Sequence, residues 1–139
     1  MHVPINRDVL QSLGQHVCEA IGHAGLARTL LVDYADVPQS LVVISGLRYL
    51  PQLELFRTLP HFLHLGVDAS FETRFARVNA RGQYADDQTS REAFQKLHER
   101  DTERSIPAIL QQADVILHND GDVPALLRQV DAAVKPFLQ

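Results

Sequence analysis

The sequence predicts an α/β domain in which a parallel sheet is covered by helices on both faces. Three short apolar runs, at positions 41–44, 61–67 and 115–118, have the length and character of buried strands. Segments with apolar residues at helical spacing lie between these runs. Strands that alternate with helices favour parallel pairing through right-handed crossovers. We therefore expect three layers, with the sheet in the middle.

Composition limits the class of protein. The 139 residues are 45% hydrophobic and 22% charged, which is typical of a folded domain, and we expect one domain over positions 1–139. No apolar run approaches the roughly 20 residues that span a bilayer, and the first ten residues lack the apolar stretch of a secretory signal. These features predict a soluble cytoplasmic protein without a membrane partner.

Charge and cysteine content exclude further classes. The net charge of −4 argues against a nucleic-acid-binding surface, which normally carries a basic excess. Cys18 is the one cysteine, so no internal disulfide can form, and no Cys/His spacing suggests zinc. We expect neither a nucleic-acid partner nor a metal site built by the protein alone.

Helix boundaries follow from capping residues and glycines. Most predicted helices begin at a side chain that can cap the first turn. A Thr89–Glu92 capping box opens a helix that we expect to reach Arg104. The other predicted helices are Asn6 to Ile21, closed by Gly22; 24–33; 50–59, starting near Pro51; Ser70 to Gly82; and a last helix capped by Asp122.

Three arginines share one side of the helix predicted after Ser70. At 3.6 residues per turn, Arg74, Arg77 and Arg81 cluster about a quarter turn from the apolar stripe. Planar guanidinium groups suit phosphate recognition. The alternative is a solvated face whose charge is offset by nearby carboxylates such as Glu72.

Two long segments resemble a known family. HFLHLGVDASFETRFARVNARG, from His61, and ADVILHNDGDVPALLRQV, from Ala113, resemble the second half of dephospho-CoA kinases and nucleoside-monophosphate kinases. The phosphate loop of those enzymes, G-x-x-x-x-G-K-[ST], does not occur in the 139 residues. The resemblance implies a P-loop NTPase-like sheet that lacks its first strand, P-loop and first helix.

The resemblance also assigns roles to residues. Arginines on the helix that leads into the lid meet the substrate phosphates in this family, which implies a catalytic role for Arg74, Arg77 and Arg81. The loop after the last strand lies beside adenine, which implies nucleotide binding by Asn119, Asp120 and Gly121. Asn-Asp-Gly is also ordinary turn and capping sequence, so that alternative stays open.

The acceptor side of the family pattern is altered. Arg48 matches an arginine that holds the phosphate of the acceptor, and Arg7 lies in a segment similar to the acceptor-binding region. Ser45 stands where many such kinases carry an aspartate that helps to organise magnesium. ATP and Mg²⁺ are thus implied by resemblance only, and we expect neither to bind tightly to this chain alone.

The resemblance divides the chain into four parts and leaves two functions open. The parts are acceptor-side helices (6–35), the sheet body (40–82), a lid-like segment (83–105) and a C-terminal strand and helix (106–139). The chain is either of an ATP-dependent kinase lineage acting on a nucleotide-like or dephospho-CoA-like acceptor, inactive alone, or a non-catalytic domain that binds nucleotide, phosphate or protein. An incomplete sheet also predicts a homo-oligomer or a partner that completes it.

Overall fold

The computed structural model describes residues 7–35, 41–81, 89–99 and 101–138. The chain forms two compact units, Met1–Leu59 and Pro60–Gln139, and each is described by itself. Three features predicted from the sequence lie outside the described residues: the Asn6 cap, Gly82 as a helix end, and the polar stretch of the lid-like segment at 83–88.

The first unit contains three helices within residues 7–35 and 41–59. Helix α1 ends where predicted, because Gly22 adopts a φ of 76° and its N–H donates to the carbonyl of Cys18. Pro51 lies in the first turn of the third helix, where a missing N–H costs nothing. The side chains of Ala27, Leu53 and Phe56 are buried. The helices are α1 (Arg7–Ile21), α2 (Gly25–Ala35) and α3 (Leu50–Phe56).

The predicted strand at 41–44 is not formed. These four residues have no regular secondary structure, and their apolar side chains are exposed, Val43 to 81%. A strand is stable only when a neighbouring strand takes up its backbone hydrogen bonds. Within the described residues no strand pairs with this run, so its β-branched composition alone does not produce a strand.

The second unit holds a parallel sheet of two strands in the described residues, β1 (Leu65–Asp68) and β2 (Val115–His118). Leu65 pairs with Val115 and Asp68 with His118. The parallel pairing and the bounds of β2 confirm the prediction. Strand β1 starts four residues later than expected, and His61 adopts a left-handed φ of 57° ahead of it. The expected three-stranded layer is therefore corrected to a two-stranded one with flanking helices.

Five helices accompany this sheet in the described residues. Ser90, not Thr89, caps α5, since its hydroxyl accepts the N–H of Ala93 at 3.2 Å. The single helix expected up to Arg104 is two helices, and the sequence reasoning missed α7. The helices are α4 (Phe71–Arg81), α5 (Arg91–Leu97), α6 (Asp101–Arg104), α7 (Ile106–Leu110) and α8 (Val123–Val134), followed by a 3₁₀ turn at Lys135–Phe137.

Two close contacts fix the strands against their neighbours. Gly66 faces α7 so closely that a Cβ there would lie 2.5 Å from Leu110 Cδ1. On the outer side of β2, Gln129 accepts the N–H of His118 and donates to its carbonyl, both at 2.9 Å. Gln129 thus satisfies the edge of β2 as a neighbouring strand would.

Among the described residues no helix has the length and apolarity that a membrane span needs.

Candidate functional site

The carboxyl ends of β1 and β2 meet at one edge of the sheet. The N–H of Asn119, just after β2, donates to the carbonyl of Asp68 at the end of β1, at 2.7 Å. The carboxylate of Asp68 accepts the N–H of Ala69 at 2.9 Å. In open α/β sheets, ligands bind outside the carboxyl ends of the strands. A ligand site is therefore expected at this edge of the sheet.

Asp120 joins the loop after β2 to the first turn of α4. One of its oxygens accepts the backbone N–H of Ser70 at 2.8 Å and the hydroxyl of Thr73 at 2.7 Å. These hydrogen bonds, with Thr73 the largest contributor, lower the pKa of Asp120 to about 2. Asp120 was predicted to contact a nucleotide, but its carboxylate is engaged in holding two elements together.

Arg77 holds the same loop from the other side. Its Nη1 donates to the carbonyl of Asn119 at 2.7 Å and its Nη2 to the carbonyl of Gly121 at 3.2 Å. A fork of this kind suits the guanidinium plane and keeps the side chain at the strand ends. One of the predicted phosphate-facing arginines is thus brought to the predicted nucleotide loop, where two of its five N–H groups are used.

Arg74 makes a different pairing, with a neutral ring. Its Nη1 lies 2.6 Å from Nε2 of His98, whose Nδ1 is 3.1 Å from the carbonyl of Phe94. Since a carbonyl only accepts, Nδ1 carries the proton and Nε2 accepts from Arg74. Among the described residues the half-buried Arg74 has no carboxylate partner, and its Nε is buried without a hydrogen bond.

These side chains line a cleft of about 880 Å³ at the strand ends, which we call the strand-end cleft. Its volume falls in the range of small-molecule sites. Three arginines and three carboxylates contribute, so their formal charges cancel. The lining consists of Val67, Asp68, Ala69, Arg74, Arg77, His98, Glu99, Glu103, Arg104, Ile106, Pro107, Leu110 and Asn119.

The predicted site residues separate into those that line the cleft and those that do not. Arg74, Arg77 and Asn119 line it, and Asp120 and Gly121 hold its edge in place. Arg81 is exposed and is not part of the lining. Two more residues belong to the first unit: Arg48, exposed beside α3, and Arg7, whose side chain lies outside the described residues.

Sequence reasoning missed the acidic and imidazole side of the cleft. His98, Glu99 and Glu103 were taken as part of one charged helix, and α7 was not predicted. A usable signal for His98 is its spacing of four residues from Phe94, which places both on one face of a helical turn. No single-sequence pattern pointed to Asp68 as a lining residue.

The rings of Phe71, Phe94 and His98 form an aromatic cluster that borders a second cavity. The rings of Phe71 and Phe94 meet edge to face at 5.3 Å, and those of Phe94 and His98 at 5.1 Å. This second cavity, which we call the α5 pocket, measures about 400 Å³. Its lining consists of Phe71, Arg74, Arg91, Gln95 and His98, so it shares two side chains with the strand-end cleft.

Arg91 covers the aromatic cluster on the solvent side. Its guanidinium donates to both carboxylate oxygens of Glu72, once at 2.7 Å, and lies 4.9 Å from the centre of the Phe71 ring. The hydrogen bond from Arg91 is the largest cause of the lowered pKa of Glu72. The pair joins α4 to α5, and Arg91 also lines the α5 pocket.

Magnesium, implied by the resemblance, was compared with the donor groups present. Within the described residues no three His, Cys, Asp or Glu side chains lie together as a metal-binding group. Asp68, Glu99 and Glu103 line the cleft but do not form such a group. The side chains of the described residues therefore do not fit a protein-built metal site.

Comparison with known proteins finds relatives of limited similarity. The chain is 30% identical over 132 residues to a UPF0200 protein of Thermococcus gammatolerans, covering 93% of this chain and 66% of that protein. It is 25% identical over 124 residues to a UPF0200 protein of Methanosarcina acetivorans, covering 88% of this chain and 65% of the relative. A UPF0200 protein of Methanopyrus kandleri is 35% identical over 83 residues, 58% of this chain and 42% of its own length.

The chain thus spans just under two thirds of the length of the Methanosarcina relative. No protein-family model matches it. No solved structure matches it significantly. The name UPF0200 describes no reaction, so the function proposed next depends on the site itself.

Proposed function

We propose that the second unit binds the phosphate of a nucleotide-like small molecule in the strand-end cleft. The observation that carries the proposal is the state of Arg74. Leaving a half-buried cation without a counter-ion costs free energy, and a buried N–H without an acceptor adds to that cost. Among the described residues Arg74 has no carboxylate counter-ion, and its Nε–H has no acceptor. A bound phosphate supplies the negative charge, and its oxygens accept from the guanidinium N–H groups that reach the cleft.

The position of Arg77 supports the same ligand. The fork to Asn119 and Gly121 fixes this guanidinium at the strand ends and leaves three of its N–H groups without a partner in the described residues. Arg74 and Arg77 lie one turn apart on α4, so they present donors to the same part of the cleft. Two arginines in this arrangement suit the several oxygens of one phosphate.

The carboxylates of the cleft limit its affinity for phosphate. Asp68, Glu99 and Glu103 offset the three arginines at long range, so an anion gains little until it makes direct hydrogen bonds. This arrangement favours a ligand that enters the cleft over counter-ions collected at its surface. We therefore expect modest phosphate affinity that falls with added salt.

The wider function we propose is that of an ATP-dependent nucleotide kinase lineage, with a non-catalytic nucleotide- or phosphate-binding domain as the second candidate. Both use the same cleft. Phosphoryl transfer in P-loop enzymes needs the backbone cradle and lysine that are not found in these 139 residues. We expect the chain alone to bind but not to hydrolyse ATP. Magnesium-dependent ATP hydrolysis that is lost in Arg77→Ala would show that this chain is catalytic by itself.

Thermal stability tests the binding proposal. Millimolar phosphate at low ionic strength should raise the melting temperature of the native chain by mass action, and sodium chloride should reduce the gain. Arg74→Ala should abolish the gain. Arg128→Ala is a matched control, because Arg128 is exposed on α8 and does not line the cleft. Phosphate that leaves the melting temperature unchanged, or that protects native chain and Arg74→Ala equally, would refute the proposal.

Self-association is a second proposal, supported by exposed apolar side chains in the first unit. The side chains of Leu41 and Val43 are 51% and 81% exposed in a run without a strand partner in the described residues. A second copy of the chain would remove this surface from water. Light scattering should then show a dimer or larger assembly that Val43→Lys weakens. A monomer at all concentrations would contradict this.

A further inference from the structure

We propose that the α5 pocket binds the planar heteroaromatic ring of a ligand whose phosphate lies in the strand-end cleft. This inference rests on the proposed function for the phosphate and adds the second half of the ligand. The α5 pocket and the strand-end cleft share the side chains of Arg74 and His98 in their linings, so the two cavities are adjacent.

The ring of the ligand would stack on the guanidinium of Arg91, which contacts both Glu72 and Phe71. The guanidinium of Arg91 is held by two hydrogen bonds to Glu72, and its Cζ lies over the Phe71 ring, 4.9 Å from the ring centre. The side chain of Arg91 nevertheless remains 55% exposed. A guanidinium immobilised in this way presents its other face for stacking, and nucleic-acid bases commonly stack on arginine planes.

Gln95 supplies the hydrogen bonds that a heteroaromatic edge requires. It lies four residues after Arg91 and therefore on the same face of α5. Its exposed amide has no hydrogen-bond partner among the described residues and lines the pocket. An amide offers a donor and an acceptor in one plane, the pattern by which Gln and Asn pair with the edge of adenine.

The shared wall connects ring and phosphate in one molecule. Arg74 and His98 line both the α5 pocket and the strand-end cleft, and they are hydrogen-bonded to each other. A ring that stacks on Arg91 would thus lie next to Arg74, which also lines the phosphate site. The pocket volume of about 400 Å³ accommodates a single ring system. This places the ring beside α5, not at the Asn119–Gly121 loop that the sequence suggested.

Calorimetric titration with AMP, ribose 5-phosphate and adenosine tests the inference on the full chain. AMP should bind on the order of tenfold more tightly than ribose 5-phosphate, because only AMP carries the stacking ring. Gln95→Ala and Arg91→Ala should bring the AMP affinity down towards that of ribose 5-phosphate, whose own affinity stays unchanged. Lys96→Ala is the control, since Lys96 is exposed on α5 and does not line the pocket.

The outcomes separate the two proposals. Equal affinity for AMP and ribose 5-phosphate, or an AMP affinity that Gln95→Ala leaves unchanged, would overturn the ring site while leaving the phosphate site intact. Failure of ribose 5-phosphate to bind would overturn the phosphate site. In that case adenosine binding that Gln95→Ala weakens supports the ring site alone, and no adenosine binding overturns it as well.

Discussion

Nη1 of Arg74 lies 2.6 Å from Nε2 of His98, so a half-buried guanidinium is paired with a neutral imidazole. The pairing sets the direction of Arg74 without neutralising its charge. Its Nε is buried and has no hydrogen-bond partner among the described residues. The positive charge of Arg74 therefore remains for a ligand to neutralise, which is the physical basis of the phosphate proposal.

Asp120→Ala should lower the melting temperature at neutral pH, because it removes the acceptor that joins Ser70 and Thr73 to the loop after β2. The pKa of Asp120 is lowered from 3.8 to about 2, so the stabilisation is present above the ordinary value and is lost as the pH falls through about 2. The gap in melting temperature between native chain and Asp120→Ala should therefore narrow below pH 3.8.

Asp131→Ala is the matched control for that experiment. Asp131 is an exposed aspartate on α8 and has no side-chain hydrogen bond in the described structure. Its replacement should change the melting temperature little at any pH. A gap for Asp120→Ala that stays constant down to about pH 2 would show that its hydrogen bonds do not favour the ionised form.

Gly66→Ala should reduce the free energy of unfolding by about 1–3 kcal/mol. The added methyl would lie 2.5 Å from Leu110 Cδ1 and 3.0 Å from Ala113 Cβ, so the Leu110 side chain or the backbone of β1 would have to shift. At Gly121 the nearest atom to an added Cβ is 3.6 Å away, an ordinary contact. Urea denaturation of both variants measures the difference, and equal effects would contradict the packing of α7 on β1.

Ser90→Ala should cost about 1 kcal/mol of stability, because the Ser90 hydroxyl caps α5 through the N–H of Ala93. Thr89→Ala should cost less stability, since Thr89 donates to the Asn79 side chain through its backbone N–H, which the substitution keeps. Chemical denaturation distinguishes the two caps. A larger loss in Thr89→Ala would restore the capping box predicted from the sequence.

Local patterns predicted much of the second unit. Strand β2 was correct because an apolar run between Asp114 and Asn119 has clear boundaries, and Asp122 caps α8 as expected, accepting the N–H of Ala125 at 2.8 Å. The same reasoning was wrong at 41–44. An apolar run favours burial of its side chains, but a strand forms only when a neighbouring strand pairs with it, and no local pattern specifies that neighbour.

The candidate site was only partly predictable for the same reason. Helical spacing placed Arg74, Arg77 and Arg81 together on α4. In the structure Arg74 and Arg77 line the cleft, and Arg81 does not. The pairing of Arg74 with His98 spans 24 positions and depends on how α5 packs on α4. Contacts of that kind arise from tertiary packing and leave no periodic signal in one sequence.

The most direct test of the phosphate proposal follows the Nε–H signal of Arg74 by NMR while inorganic phosphate is added at low ionic strength. We expect this signal to shift and saturate, because a phosphate bound to the Arg74 guanidinium changes the electrostatic environment of its buried Nε–H, while the signal of Arg128 stays in place. Loss of the signal in Arg74→Lys confirms its assignment. An Arg74 signal that does not move, or that moves in parallel with that of Arg128, would contradict a phosphate site in the strand-end cleft.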